Sequence, residues 1–386
     1  MLSLVLYLLL IFALVWGCGG YFAFMRAVSV LCRKKRAIDQ SYQPKASVII
    51  PTHNEGLSIS AKLDNILGQD YPKEDLQIIV ADSGSSDKTV DLVRAYADKG
   101  VELLIQERRS GKGAAVIHAL NYAKNGIVIV TDGNSFFDGQ VLKPLLRNFS
   151  DPEVGGVTGR FFLKDNMKNA EASGSYSFRE YENVLRGYES SVDSAVSLYG
   201  ELFASRKELI VMDPANLTED FEASISLVKK GFRLVYEPLA GIYEYAPSNV
   251  RDVLIQKKRV VIGTIQSLFK HRDMLFNPRY GGYGMVILPG HKLFPALGVW
   301  FIIALIFFTA IVWKALAFYL IVIGIVSAAI CAGIAVSVSG RSRLVASGKY
   351  FLLLNLACFL AWMDYFRGNY GVNWEKMRSS RPEAGA

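Results

Sequence analysis

Ser47-Val48-Ile49-Ile50-Pro51-Thr52-His53-Asn54-Glu55 decides the fold class. A short, mainly apolar run passes directly into a polar cluster, the pattern of a strand buried on both faces that ends at a ligand-binding edge. Residues 76–80, 101–105 and 127–130 repeat it, and stretches of helical character at 59–67, 88–98 and 113–124 separate the four. This alternation predicts right-handed βαβ units and an α/β domain built on a doubly wound, mainly parallel sheet. Ligands bind beyond the carboxyl ends of such strands.

Outside this core the composition changes. The 386 residues are 51% hydrophobic and 20% charged, with a mean hydropathy of +0.25, which excludes disorder and points to membrane segments. Residues 1–25 carry no charge before Arg26. At about 1.5 Å per residue they span a bilayer core of about 30 Å, and without a basic leader they read as a retained transmembrane anchor. The basic block Arg33-Lys34-Lys35-Arg36 then places the domain at 46–246 in the cytosol. Amphipathic interface helices are expected at 247–292, transmembrane segments at 293–366 with two spans joined around Lys314 and a third apolar run at 350–362, and a basic tail at 367–386. The net charge of +8 suits anionic membrane lipids and a diphosphate, and no nucleic-acid motif accompanies it. Cys18, Cys32, Cys331 and Cys358 lie in or beside apolar runs, so a disulfide scaffold is excluded. The four histidines are too scattered for a zinc site.

The polar residues after each strand carry the chemistry. Asp82 is placed to accept hydrogen bonds from a base or ribose. Gly111 and Gly113 permit close backbone approach of a ligand, and Lys112 brings positive charge to phosphates at a helix N-terminus. Ser85, Ser86 and Asp87 suit the start of a helix, with Asp87 as a capping residue. Asp132 and Asn134, two apart, share a face, and Gly133 leaves room for the ligand; a hard divalent cation would take these oxygens and complete its shell with water and substrate phosphates. Neither the P-loop spacing nor GxGxxG occurs, so kinase and dinucleotide dehydrogenase readings lose their usual support. Asp220 opens a helical run at 221–230 and feels its positive end, while Gln256 and Arg259 stand one turn apart on a helix at 249–270.

The series Pro51-Thr52-His53-Asn54-Glu55, Asp82 to Asp87, Ser110-Gly111-Lys112-Gly113 and Thr131-Asp132-Gly133-Asn134 resembles the family 2 inverting glycosyltransferases, as do Thr218-Glu219-Asp220 and Gln256-Lys257-Lys258-Arg259. It is similar to the membrane-embedded polysaccharide synthases of the cellulose, hyaluronan and poly-N-acetylglucosamine type. The resemblance implies a GT-A fold and a nucleotide-diphosphate sugar donor, UDP-linked by analogy. Pro51, Thr52, Glu55, Asp82, Lys112, Asp132, Gln256 and Arg259 would bind that donor, with Mg²⁺ or Mn²⁺ on Asp132 and Asn134. Asp220 would be the general base, Glu219 its nearest competitor, and Arg259 would pair with the diphosphate. Processive members carry QxxRW, and Val260 stands where the tryptophan would be, which leaves a glycan and a lipid-linked acceptor both open. From another class, the motifs would also suit a non-catalytic, membrane-anchored nucleotide-sugar-binding scaffold.

Overall fold

The computed structural model describes residues 2–164, 170–246, 250–312 and 343–371. Helices α1 (Leu2–Val15) and α2 (Tyr21–Leu31) are joined by a π-helical stretch, Trp16–Gly20, with a break at Gly19. The expected single anchor is therefore two shorter apolar helices. Beyond them, β1 (Ala46–Thr52), α3 (Ile59–Leu67), β2 (Leu76–Ser83), α4 (Thr89–Arg94), β3 (Val101–Gln106), α5 (Lys112–Leu120) and β4 (Ile127–Thr131) follow the strand–helix alternation of the sequence. Every residue of β1 is buried. Ile49 enters the core beneath α5, whereas Val48 and Ile50 enter the one beneath α3, so the strand has no solvent face to mark with polar residues.

The later elements are β5 (Phe136–Asp138), α6 (Leu142–Leu146), β6 (Val154–Lys164), α7 (Ala170–Val192), β7 (Leu202–Arg206), α8 (Glu219–Lys229), β8 (Arg233–Tyr245), α9 (Val250–Lys270), α10 (Phe294–Val312) and α11 (Arg343–Arg367). The eight strands lie in the order β3-β2-β1-β4-β7-β6-β8-β5. The first four are parallel, as the sequence implies. The rest of the sheet corrects the expectation: β7 runs antiparallel to both β4 and β6, β5 antiparallel to β8, and only β6 and β8 are parallel. The sheet is mixed because β7 inserts between β4 and β6 from far along the chain, a pairing that local periodicity does not encode.

The register of β6 against β8 jumps between Gly159, opposite Glu237, and Arg160, opposite Gly241. The displaced backbone packs the Ala240 carbonyl against Gly159, where a Cβ would collide with it.

One apolar helical run among the described residues, Tyr283–Thr309, is long enough to cross a membrane. It begins earlier than the apolar block near 293 suggests, because Tyr283, Ile287 and Leu288 are buried against the sheet domain. Helix α11 is fastened to its neighbours by Trp362 Nε1, which donates to the Ala296 carbonyl at 2.7 Å, and by a Lys258–Asp364 ion pair at 2.6 Å. Part of the basic block grips the domain: Lys34 pairs with Asp193 at 3.0 Å and Arg36 donates to Asn148 Oδ1 at 3.0 Å. Residues 313–342, including Lys314, and most of the expected basic tail lie outside the described residues. Gly159→Ala is expected to cost about 1–3 kcal/mol through overpacking. A detergent thermal-unfolding midpoint unchanged from wild type would contradict the close approach described for Gly159.

Candidate active site

The strand-end motifs first hold one another. Thr52 Oγ1 donates to Asp82 Oδ1 at 3.2 Å, and His53 Nδ1 donates to the Ser83 carbonyl at 2.8 Å. Asn54, at φ 54°, accepts from the Ser86 amide at 2.7 Å, and Asp87 accepts from the Gly56 amide at 3.0 Å. Asp87 also accepts from the Thr89 amide at 3.0 Å, which anchors the start of α4. The loops after β1 and β2 are thus stitched together, and Ser83 Oγ, accepting from the Ser110 amide at 3.0 Å, adds the loop before α5.

Asp82 is fully buried beneath this wall, its carboxylate accepting from the Ser85 amide at 2.9 Å as well as from Thr52 and Ser85 hydroxyls. Two glycines serve a purpose other than the one expected. The Cβ direction of Gly113 faces Glu219 and Pro214, and that of Gly133 faces Glu55 and Thr52, so both admit neighbouring protein rather than ligand. Gly111, at φ +85°, does require glycine.

Lys112 is the first residue of α5. Its ammonium lies 2.8 Å from Asp132 Oδ1 and 3.4 Å from Glu219 Oε1, and donates to the Gly200 carbonyl at 3.0 Å. Burial alone would lower the Lys112 ammonium, but Asp132, Glu219 and Asp220 outweigh it and hold the pKa above its ordinary value. Asp220, in the first turn of α8, shares this field: a Cβ on Gly200 would stand 2.9 Å from Lys112 Nζ and 3.4 Å from Asp220 Oδ2. Burial pushes the Asp220 carboxyl up to about 6, Glu219 and Glu201 adding to the shift and Lys112 opposing it. Burial raises Asp132 as well, partly offset by Lys112.

Beneath this layer is a charge system that the motifs did not single out. Lys62 of α3 is completely buried and donates to Thr131 Oγ1 at 2.8 Å and to the Ser135 carbonyl, bracing the turn that carries Asp132 and Asn134. Burial lowers its pKa to about 7. Glu244 of β8 accepts from Ser135 Oγ at 2.5 Å and is pushed up to about 8 by burial, Glu201 and Asp132. Both positions were readable as violations. Lys62 falls on the apolar face of Ile59, Leu63 and Ile66, and Glu244 has the inward parity of Ala240 and Ile242. Glu201, just before β7, has no such signal.

One cavity of about 660 Å³ collects these groups. Pro51, Thr52, Glu55, Lys112, Asp132, Asn134 and Asp220 line it, and Gln256 and Arg259 reach it from α9, as their one-turn spacing requires. Asp82 is the one expected site residue not on its wall. The cavity continues past the carboxylates to α1, α10 and α11. No group of three or more histidine, cysteine or acidic side chains among the described residues could enclose a metal by itself. Asp132 and Asn134 line the same wall, and a hard cation such as Mg²⁺ placed on them would need substrate phosphate and water to complete its shell.

The sheet is mixed and GT-A-like, and its strand ends carry paired carboxylates and a lysine. Residues 47–211 match the family described as Glycosyl transferase family 2, and the chain carries a domain of that family. It is a glycosyltransferase acting on a nucleotide sugar. Poly-beta-1,6-N-acetyl-D-glucosamine synthase of Staphylococcus aureus is 25% identical over 299 residues, covering 75% of this chain and 71% of the relative. A dolichyl N-acetyl-alpha-D-glucosaminyl phosphate 3-beta-D-2,3-diacetamido-2,3-dideoxy-beta-D-glucuronosyltransferase of Methanococcus voltae is 25% identical over 225 residues, 54% of this chain and 70% of the relative. In fold, the chain is similar to the mannosyltransferase PcManGT of Pyrobaculum calidifontis, solved with GDP-Man and Mn²⁺, at a TM-score of 0.74 and 22% identity over 95% of this chain and 100% of that one.

A reaction that needs ionised Asp220 loses rate as pH falls through about 6. Because Lys112 lowers that pKa, Lys112→Met should move the acidic limb of the pH–rate profile to higher pH. A limb that stays in place, or moves to lower pH, would contradict the electrostatic assignment.

Proposed function

We propose that this is a membrane-embedded, inverting, divalent-metal-dependent glycosyltransferase whose domain at 46–246 faces the cytosol, anchored by residues 1–25 and by segments within 293–366, with 247–292 at the membrane surface. The donor is a nucleotide-diphosphate sugar, UDP-linked in our reading. The acceptor is a glycan or lipid-linked alcohol at the membrane face. The single observation that carries the proposal is that Asp132, Lys112, Asp220, Gln256 and Arg259, from four separate elements, share one cavity wall.

Thr52, supported by Asp82, is the wall residue on which the base and ribose rest; to contact them itself, Asp82 must exchange part of its bonding to Ser85. Asp132 and Asn134 would hold the metal, and Arg259 with Gln256 would cover the phosphates from α9. The ion, when bound, neutralises charge on the departing diphosphate. PcManGT was solved with GDP-Man and Mn²⁺, so guanine donors and Mn²⁺ belong in any donor screen.

Asp220 accepts the proton of the acceptor hydroxyl as its oxygen attacks the anomeric carbon. Both Glu219 and Asp220 line the cavity, and Glu219 is the weaker candidate because its carboxylate is paired with Lys112 at 3.4 Å. Its elevated pKa leaves it ionised at neutral pH yet more basic than an exposed aspartate, the condition that favours a general base. Asp220→Asn is expected to lower kcat by about 10²–10⁴ while donor binding, measured by calorimetry, changes little. Full turnover by Asp220→Asn, or an equal loss in Glu219→Gln with Asp220 intact, would overturn the assignment.

A further inference from the structure

Helix α9 brings Gln256 and Arg259 to the cavity from its first half, yet its buried residues, 262–265 with Ser267 and Leu268, all fall in its second half. Residues 256, 259, 263, 266 and 270 recur in steps of three and four, so they form one stripe along the helix. That stripe runs beside the loop that leads into α8. A Cβ on Gly263 would stand 2.5 Å from Thr218 Oγ1 and 2.8 Å from the Thr218 amide nitrogen. Gln266 Oε1 accepts from the Leu217 amide at 3.2 Å, and Lys270 pairs with Asp213 at 2.9 Å. A neighbouring stripe, with Ile262, Ile265 and Phe269, packs instead on Ala361, Trp362 and Tyr365 of α11.

Glu222 closes this contact from the α8 side. It is buried, and its Oε1 accepts from His271 Nε2 at 2.9 Å and from the Lys270 ammonium at 2.7 Å. Its Oε2 accepts from Asn216 Nδ2 and Ser267 Oγ, each at 3.4 Å, and Asn216 donates to Ser267 at 2.8 Å. Burial would raise the Glu222 carboxyl, but His271 and Lys270 outweigh it and hold the pKa below its ordinary value. Asp220 and Glu222, two residues apart, point about 200° away from each other around α8. One helical turn thus offers Asp220 to the cavity and Glu222 to α9. A buried carboxylate with four donors fixes the elements that supply them, because each donor is left unsatisfied if they part.

We infer that Glu222 is a positioning residue for the donor: through Lys270 and His271 it holds α9 against α8 and so places Arg259 and Gln256 over the diphosphate. This rests on the glycosyltransferase reading above and adds a residue to the same site. Glu222 is not on the cavity wall and touches no reacting atom. About three turns of helix separate Lys270 from Arg259, and a rigid helix carries the placement across them. Without the Glu222 charge α9 still packs on α11, so the helix persists while its donor end loses its fixed place relative to Asp220.

A double-mutant cycle on nucleotide binding tests this. UDP and GDP, each with Mn²⁺, are titrated by calorimetry into purified full-length protein in detergent, and the tighter of the two is followed through the variants. Arg259→Ala is expected to weaken it about tenfold or more, the loss of a charge-assisted bond to phosphate. Glu222→Gln keeps the shape and removes the charge, and should weaken binding about threefold or more. Lys270 is half-exposed, so Lys270→Met probes the same contact without risk to folding; it should weaken binding too, and Lys270→Arg should restore it. In Glu222→Gln/Arg259→Ala the loss should equal that of Arg259→Ala alone, since one residue acts through the other. In turnover the Glu222→Gln defect should fall on the donor KM rather than on kcat. Wild-type affinity in Glu222→Gln or in Lys270→Met, or losses that multiply in the double variant, would overturn the inference. So would a fall in kcat with donor affinity kept, which would tie Glu222 to Asp220 instead. An Arg259→Ala variant that binds nucleotide like wild type would mark a different failure, that of the phosphate assignment itself, and would take the inference with it.

Discussion

Lys112 is the contact on which the site depends. Its ammonium meets Asp132 from the end of β4, Glu219 from the start of α8 and the carbonyl of Gly200 before β7. Without a cation there, Asp132, Glu219 and Asp220 would crowd like charges into a buried space, which folding tolerates only when they are paired or protonated. One side chain therefore decides that a strand end and a helix end, nearly ninety residues apart in the chain, converge. The neutralisation is incomplete, and the residue is expressed in Asp220, left with a carboxyl near 6. The site is a balanced charge system, and its reactivity is what remains after the balancing.

The second constraint is the joint between the catalytic domain and the apolar helices. Tyr21 donates to Glu189 at 2.7 Å, Glu189 also accepts from the Val196 amide at 3.0 Å, and His291 connects Glu189 to Glu182. A buried polar network of this kind is stabilising only when its members are satisfied, and it fixes one arrangement of α2, α7 and the Tyr283–Thr309 run. Aromatic contacts extend the joint, with Phe22 stacked on Tyr181 at 5.1 Å. The joint sets the distance from the carboxylates to the apolar end of the cavity.

The sequence was legible where structure is local. The first four strands and the helices between them follow from runs of apolar residues and their spacing, and α3 has the predicted limits of Ile59–Leu67. The mixed half of the sheet was not legible, because the place of β7 depends on partners far along the chain. Within the site, Lys112, Asp132 and Asp220 were visible as strand-end and helix-start residues, but their mutual pairing was not, since spacing along a chain says nothing about which loops meet. Gly113 and Gly133 were read as making room for a ligand when they make room for Glu219 and Glu55. Lys62 and Glu244 show the useful converse: a charge at a core position of a periodic pattern marks a buried partner.

The central claim is a single displacement at the anomeric carbon, with one carboxylate acting on the incoming hydroxyl and no covalent sugar–enzyme intermediate. The most direct measurement is the anomeric configuration of the first product, read by proton NMR from an α-configured nucleotide sugar. The account predicts a β-linked product. An α-linked product would contradict it.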